Sequence, residues 1–129
     1  MQRKSFRGVH TALVTPFNPD GSIDWPGFER NIRFQIEQGI NGLLPVGTTG
    51  ESPTIEWLDH NQLIDITIKR CNGRALVIAG TGSNSTEEAI NASRHAAAFG
   101  TDAVLLVDCY YNGPSSLELR KEYHGAVAA

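Results

Sequence analysis

Cysteine is nearly absent from this sequence. The two present, Cys71 and Cys109, do not form a CxxC pair, which removes a dithiol redox motif and a zinc knuckle. The four histidines fall at no metal-ligand spacing, so neither a metal nor another cofactor is expected. Basic charge is also in short supply. Eleven Lys and Arg against 14 Asp and Glu leave a net charge of −3, which is not the electrostatic footprint of a nucleic-acid binder. No apolar run is long enough to span a bilayer. The opening residues Met1 to Arg7 are positive, but they lead into His10, Thr11 and Pro16 rather than into the apolar core of a signal peptide. Neither nucleic acid nor a membrane is therefore an expected partner, and the cytoplasm is the expected compartment. No linker or low-complexity stretch divides the 129 residues, so one domain is expected.

What is present is a regular alternation. Val9–Val14, Asn41–Val46, Ala75–Ala79 and Ala103–Val107 are short, nearly continuous apolar runs that read as strands. Each is followed by a helical pattern. Asp24 caps the first helix, with Pro26 in the turn where a missing N–H costs little, and Phe28, Ile32 and Ile36 form its buried stripe. The second helix runs from about Glu56 to Cys71, with Trp57, Ile64, Ile68 and Cys71 on one side, and Gly73 ends it. Ser85 and Glu88 fit a capping box opening an alanine-rich third helix, Thr86 to Phe99. Ser115 and Glu118 repeat that pattern for a last helix still running at Ala129.

Four βα units with apolar strands imply a parallel α/β sheet. Two architectures share the pattern: a small doubly wound sheet and half of a (β/α)8 barrel. A typical barrel needs about 250 residues, roughly twice this length.

The loop Gly47-Thr48-Thr49-Gly50-Glu51-Ser52 organises the chain. It lies between the second strand and the second helix, where glycines free the backbone to aim successive N–H groups at one small anion. The threonines add hydroxyls. The same residues would also serve a plain βα turn. Tyr110-Tyr111 follows the fourth strand, where it reads either as a pair of reactive phenols or as a packed aromatic plug.

Four motifs in order carry a family resemblance: Ala12-Leu13-Val14-Thr15-Pro16-Phe17, Gly47 to Ser52, Ala79-Gly80-Thr81-Gly82, and Tyr110-Tyr111-Asn112-Gly113-Pro114. Together, over Gly8 to the end, the chain resembles the dihydrodipicolinate synthase family of pyruvate-dependent class I aldolases, which is grouped with N-acetylneuraminate lyase. The resemblance implies the N-terminal half of a TIM barrel spanning residues 1–129. It implies that Thr48 and Thr49 hold the carboxylate of pyruvate, and that Thr48 and Tyr111 are catalytic members of a proton relay. Tyr111 would reach a neighbouring subunit, implying a homo-oligomer, a dimer or a tetramer. The threonine pair with Glu51-Ser52 favours the synthase branch, which condenses pyruvate with a small aldehyde, aspartate semialdehyde, on the route to lysine. Related aldolases and dehydratases share the loop.

A second, regulatory site follows from the same resemblance: His60, Asn84, Glu88 and Tyr110 match residues that bind lysine between subunits. Trp57 stands where several bacterial members carry His. Against this, Glu88 is equally a capping residue, and His60 is read as a solvated helix histidine. Asp108-Cys109 departs from the small residue and Pro found before the tyrosine pair in many members.

The family's chemistry needs a Schiff-base lysine with a deprotonated amine. Lys4, Lys69 and Lys121 are the lysines here, one ahead of the first strand and two on helices, and none suits that role. The expectation is a truncated aldolase barrel, inactive alone. The alternatives are a non-catalytic half-barrel that dimerises or complements another chain, and a small doubly wound phosphate binder. The last is weakened because neither glycine-rich loop has GxGxxG or GxxxxGK[ST] spacing.

Overall fold

The computed structural model describes residues 4–129. Four strands, β1 (His10–Ala12), β2 (Gly42–Leu44), β3 (Leu76–Gly80) and β4 (Ala103–Leu105), pair in parallel in the order β1-β2-β3-β4. His10 stands opposite Gly42, Leu43 opposite Val77, and Ala79 opposite Val104. Each strand thus lies beside its predecessor in sequence. A doubly wound sheet reverses its order at a switch point, whereas consecutive order is the winding of a barrel wall. The order decides between the two architectures in favour of the barrel type.

Helices α1 (Trp25–Glu37), α2 (Trp57–Cys71) and α3 (Thr86–Phe99) return the chain between strands. Asp24 caps α1 as expected, its Oδ1 accepting the Gly27 N–H at 2.9 Å. Leu13 just past β1 and Leu43, Val77 and Ala79 from the sheet meet Phe28 and Ile32 of α1 and Leu63, Ile64 and Cys71 of α2, all nearly or wholly buried. Small Ala89, Ala92 and Ala96 line the buried face of α3, which lets its backbone sit close to the sheet. Buried hydroxyls find partners nearby: Thr67 donates to the Leu63 carbonyl at 2.7 Å, and Thr81 and Ser93 lie 2.8 Å apart.

Three boundaries differ from the sequence reading. The strands are shorter, because the ladder persists only where neighbours run side by side. Asn72, left-handed at φ 45°, caps α2 ahead of Gly73. At α3 the capping box is half made: Ser85 Oγ accepts the Glu88 N–H, but the Glu88 carboxylate accepts from Ser83 Oγ at 2.5 Å instead of returning to Ser85. The box at Ser115 and Glu118 is complete. It opens α4 (Ser116–Glu118), which continues through a π-helical stretch, Leu119–His124, into α5 (Gly125–Ala128).

The end of β3 comes unusually close to the end of β2. A Cβ on Gly80 would overlap the Val46 carbonyl oxygen. The Gly80 N–H donates to the Pro45 carbonyl at 3.1 Å, and Val46 turns into the left-handed region at φ 49°, a strained place for a β-branched residue.

In urea unfolding, Phe28→Ala should cost about 3–5 kcal/mol, the combined loss of burial and a cavity. Gly80→Ala should cost about 1–3 kcal/mol through overpacking. Leu58→Ala, at a position 81% exposed, should stay within about 0.5 kcal/mol of the parent.

Candidate active site

The chain leaves β2 through Pro45 and the strained Val46 and folds into a tight loop. The Gly47 carbonyl accepts from the Gly50 N–H at 3.0 Å, and the Thr48 carbonyl accepts from the Glu51 N–H at 3.1 Å. Glu51 is left-handed at φ 59° and leads into a single 3-10 turn, Ser52–Thr54. The buried Thr15 hydroxyl donates to the Gly50 carbonyl at 2.8 Å and ties the loop to the segment after β1. These bonds use the carbonyls of the turn. Among the described residues, the N–H groups of Thr48 and Thr49 have no protein partner, and both residues are exposed.

This loop borders a cleft of about 250 Å³ at the C-terminal ends of β2, β3 and β4. Its lining includes Gly47 and Thr48 of the loop, Gly80 and Gly82 at and beyond the end of β3, Leu105 and Val107 at and beyond the end of β4, and Tyr110. The walls are largely apolar, so an anion entering would depend on the few donors at the Thr48 edge. Thr49 lies next along the loop, outside the lining. Tyr111 is also outside the lining and is 89% exposed. The structure therefore brings Thr48 and Tyr110 to one cavity but does not join Thr48 to Tyr111 within this chain.

A second cavity, about 270 Å³, opens on the other side of the same wall. Ser52, Pro53, Gly82 and Tyr110 line both; Glu56, Trp57, Ser83 and Glu88 add the polar side of the second. Of the four residues expected at a regulatory site, Glu88 and Tyr110 line this cavity. Asn84 lies behind the tyrosine pair, its Oδ1 accepting from the Tyr110 N–H at 2.8 Å and the Tyr111 N–H at 3.2 Å.

His60 is not a solvated helix histidine. It is 1% exposed, its Nε2 is 3.2 Å from Ser52 Oγ, and its ring lies 4.5 Å from that of Trp57. It touches Ser52, which lines both cavities, and among the described residues its Nδ1 has no hydrogen-bond partner. Burial disfavours the imidazolium and pushes its pKa down to about 4, so the ring is neutral at pH 7.

Tyr123 was not singled out from sequence. The π-helical stretch drives its ring inward, where it is 2% exposed. Its hydroxyl accepts from the Ser83 N–H at 3.0 Å and donates to the Val107 carbonyl at 2.9 Å, and burial raises its pKa. No spacing in the sequence announces this, because an α-helical register would place the ring elsewhere.

The lysines stand away from both cavities. Lys4 pairs with Asp102 near the N-terminal ends of the strands, and Lys69 and Lys121 are exposed on helices. Among the described residues, no three His, Cys, Asp or Glu side chains converge as a metal site.

The dihydrodipicolinate synthetase family model matches residues 5–129. The 4-hydroxy-tetrahydrodipicolinate synthase of Methanococcus maripaludis is 49% identical over 122 residues, covering 95% of this chain and 42% of that protein. The chloride-inhibited dihydrodipicolinate synthase of Acinetobacter baumannii, solved with pyruvate, superposes with a TM-score of 0.92 at 42% identity, over 97% of this chain and 43% of that one. The enzyme of Cyanidioschyzon merolae, solved with lysine bound, gives a TM-score of 0.90 at 39% identity, over 95% and 42%. The chain thus spans about two-fifths of the length of the relatives it matches.

The buried neutral His60 predicts a specific loss of stability in acid. Its folded pKa of about 4 lies below the unfolded value of 6.5, so the unfolded chain binds the extra proton between those values. The contribution is complete above pH 6.5 and is lost as pH falls toward 4, in total on the order of 3 kcal/mol. Urea midpoints measured from pH 7 to pH 4 should fall more steeply for the parent than for His60→Gln, which cannot take up that proton. Parallel slopes would contradict the assignment.

Proposed function

The chain belongs to the dihydrodipicolinate synthetase family, and we propose that it supplies the pyruvate-holding wall of a Schiff-base lyase site. The reaction on this reading is the condensation of pyruvate with aspartate semialdehyde, the 4-hydroxy-tetrahydrodipicolinate synthase reaction on the route to lysine. The observation that carries it is the pair of unpartnered N–H groups at Thr48 and Thr49, held by a turn whose carbonyls are already bonded, at the edge of an apolar cleft. Fixed donors of this kind bind a carboxylate without first having to be ordered. The two hydroxyls, each able to donate and accept, complete the cradle.

In Schiff-base chemistry a lysine amine attacks the ketone carbon and the carbonyl oxygen leaves as water, so a proton must reach that oxygen. Thr48 sits at the cleft to pass it, and Tyr111 is its relay partner. Because Tyr111 projects into solvent, this reading gives it to the cleft of a second copy, in a homo-oligomer that is a dimer or a tetramer. Lys4, Lys69 and Lys121 are remote, so the Schiff-base amine is assigned to none of them and the 129-residue chain alone is inactive. We place the protein in the cytoplasm; among the described residues no helix is long and apolar enough to cross a membrane. Nucleic acid has no part in the reading.

A second reading is favoured by one feature: Val104, Leu105 and Val107 remain 37–47% exposed beside the outer edge of β4. That edge would suit a non-catalytic half-barrel that dimerises or completes a barrel with another chain. A related pyruvate-dependent aldolase or dehydratase would use the same loop.

The second cavity is proposed to bind lysine, with Glu88 facing its ammonium group, Tyr110 at the shared wall, Asn84 behind and His60 beneath. This is a feedback site one wall away from the cleft.

Pyruvate added to the chain should shift the Thr48 and Thr49 amide resonances, and Thr48→Val with Thr49→Val should weaken binding about tenfold, the loss of hydroxyl donors to a charged group. Borohydride should trap no pyruvyl adduct on the chain alone; an adduct on Lys4, Lys69 or Lys121 would overturn the lysine assignment. Lysine should change Trp57 fluorescence, and Glu88→Ala should abolish that change. An unaltered response in the mutant would remove the lysine site.

A further inference from the structure

The tyrosine pair leaves β4 on an exposed loop, yet its backbone is fastened at several points. Tyr110 and Tyr111 both donate their N–H groups to Asn84 Oδ1. Because both partners are donors, the orientation of the Asn84 carboxamide is fixed with oxygen toward them. Asn112 Nδ2 donates back to the Asn84 carbonyl at 3.4 Å. Asn84 is in turn only as fixed as its neighbour Ser83, and Ser83 donates its N–H to the Tyr123 hydroxyl. The same hydroxyl donates to Val107, at the start of the segment that carries the pair. One phenol thus pins the loop after β3 to the exit of β4, and one carboxamide hangs the tyrosine pair from that joint.

We propose that Tyr123 and Asn84 form a two-point clamp that sets the aim of Tyr111, making both of them positioning residues for the proton relay. The role of Tyr111 itself rests on the aldolase reading above. The clamp explains how a chain with Cys109 before the pair still holds it in place. Cys109 offers only long sulfur contacts of 3.8 and 3.9 Å to the Asn84 and Ser83 carbonyls, too weak to fix a turn.

Hydrogen exchange of the 129-residue chain, followed amide by amide, tests the clamp without requiring turnover. In Tyr123→Phe the amides of Ser83, Tyr110 and Tyr111 should exchange about tenfold faster, while Leu63 and Ile64 in α2 keep the parent rate. Asn84→Ala should accelerate Tyr110 and Tyr111 in the same way. Asn84→Asp, which retains an acceptor oxygen, should restore their protection. Exchange at 110 and 111 unchanged in both Tyr123→Phe and Asn84→Ala would overturn the clamp. So would acceleration shared equally with α2, which marks general destabilisation. A response to Asn84→Ala alone would remove Tyr123 and overturn the two-point scheme. Pyruvate binding at Thr48 and Thr49 is read separately in the parent chain: its absence would undo the aldolase reading and leave the exchange result standing.

Discussion

The candidate site depends on one close approach, that of Gly80 to Val46. With no Cβ at the end of β3, the carbonyl of Val46 occupies the space a side chain would take, and the Gly80 N–H reaches Pro45. Val46 accepts a left-handed backbone there because the strand beside it, the Thr15 hydroxyl and the turn bonds of Gly47 and Thr48 together overdetermine its position. The strain reverses the chain sharply enough to leave two successive N–H groups uncommitted. A looser contact would let those donors turn inward and bond the protein itself.

The same packing explains why two cavities of different character share a wall. The first lies over the strand ends, where Leu105, Val107 and the glycines expose carbon; the second lies between the 3-10 turn and the start of α3, where Glu56, Ser83 and Glu88 expose oxygen. Ser52 and Tyr110 face both. Under that wall, His60 holds Ser52 through a neutral ring, so a proton taken up there would place a charge among Trp57 and aliphatic side chains.

Much of the fold was legible in the sequence because each element carries its own local signal. Apolar runs bounded by glycine marked the strands, and Asp24 and Ser115 announced helix starts that the structure realises. The strand order was not legible, since both candidate architectures share the βα alternation and only spatial neighbours separate them. His60 was misread although its spacing held the answer: positions 60, 63, 64, 67 and 71 fall on one face of α2, and that face is buried. The Thr48 loop was recognisable because its glycines and threonines are consecutive. Tyr123 was not, because its contacts come from residues 16 and 40 positions away and its direction is set by a departure from α-helical register.

That departure has a consequence for how this chain tolerates changes in length. A π-helical turn is an α-helix carrying one extra residue. Removing one residue from the exposed side of Leu119–His124 would let the helix relax to regular winding, a local gain in backbone geometry. Because the π turn already absorbs the extra residue, Gly125–Ala128 beyond the cut would keep the face it now presents. The same deletion inside the regular winding of α1, α2 or α3 would turn every later residue of that helix by about 100°, one α-helical step. The last helix can therefore lose a residue at a place where the others could not without turning their buried faces.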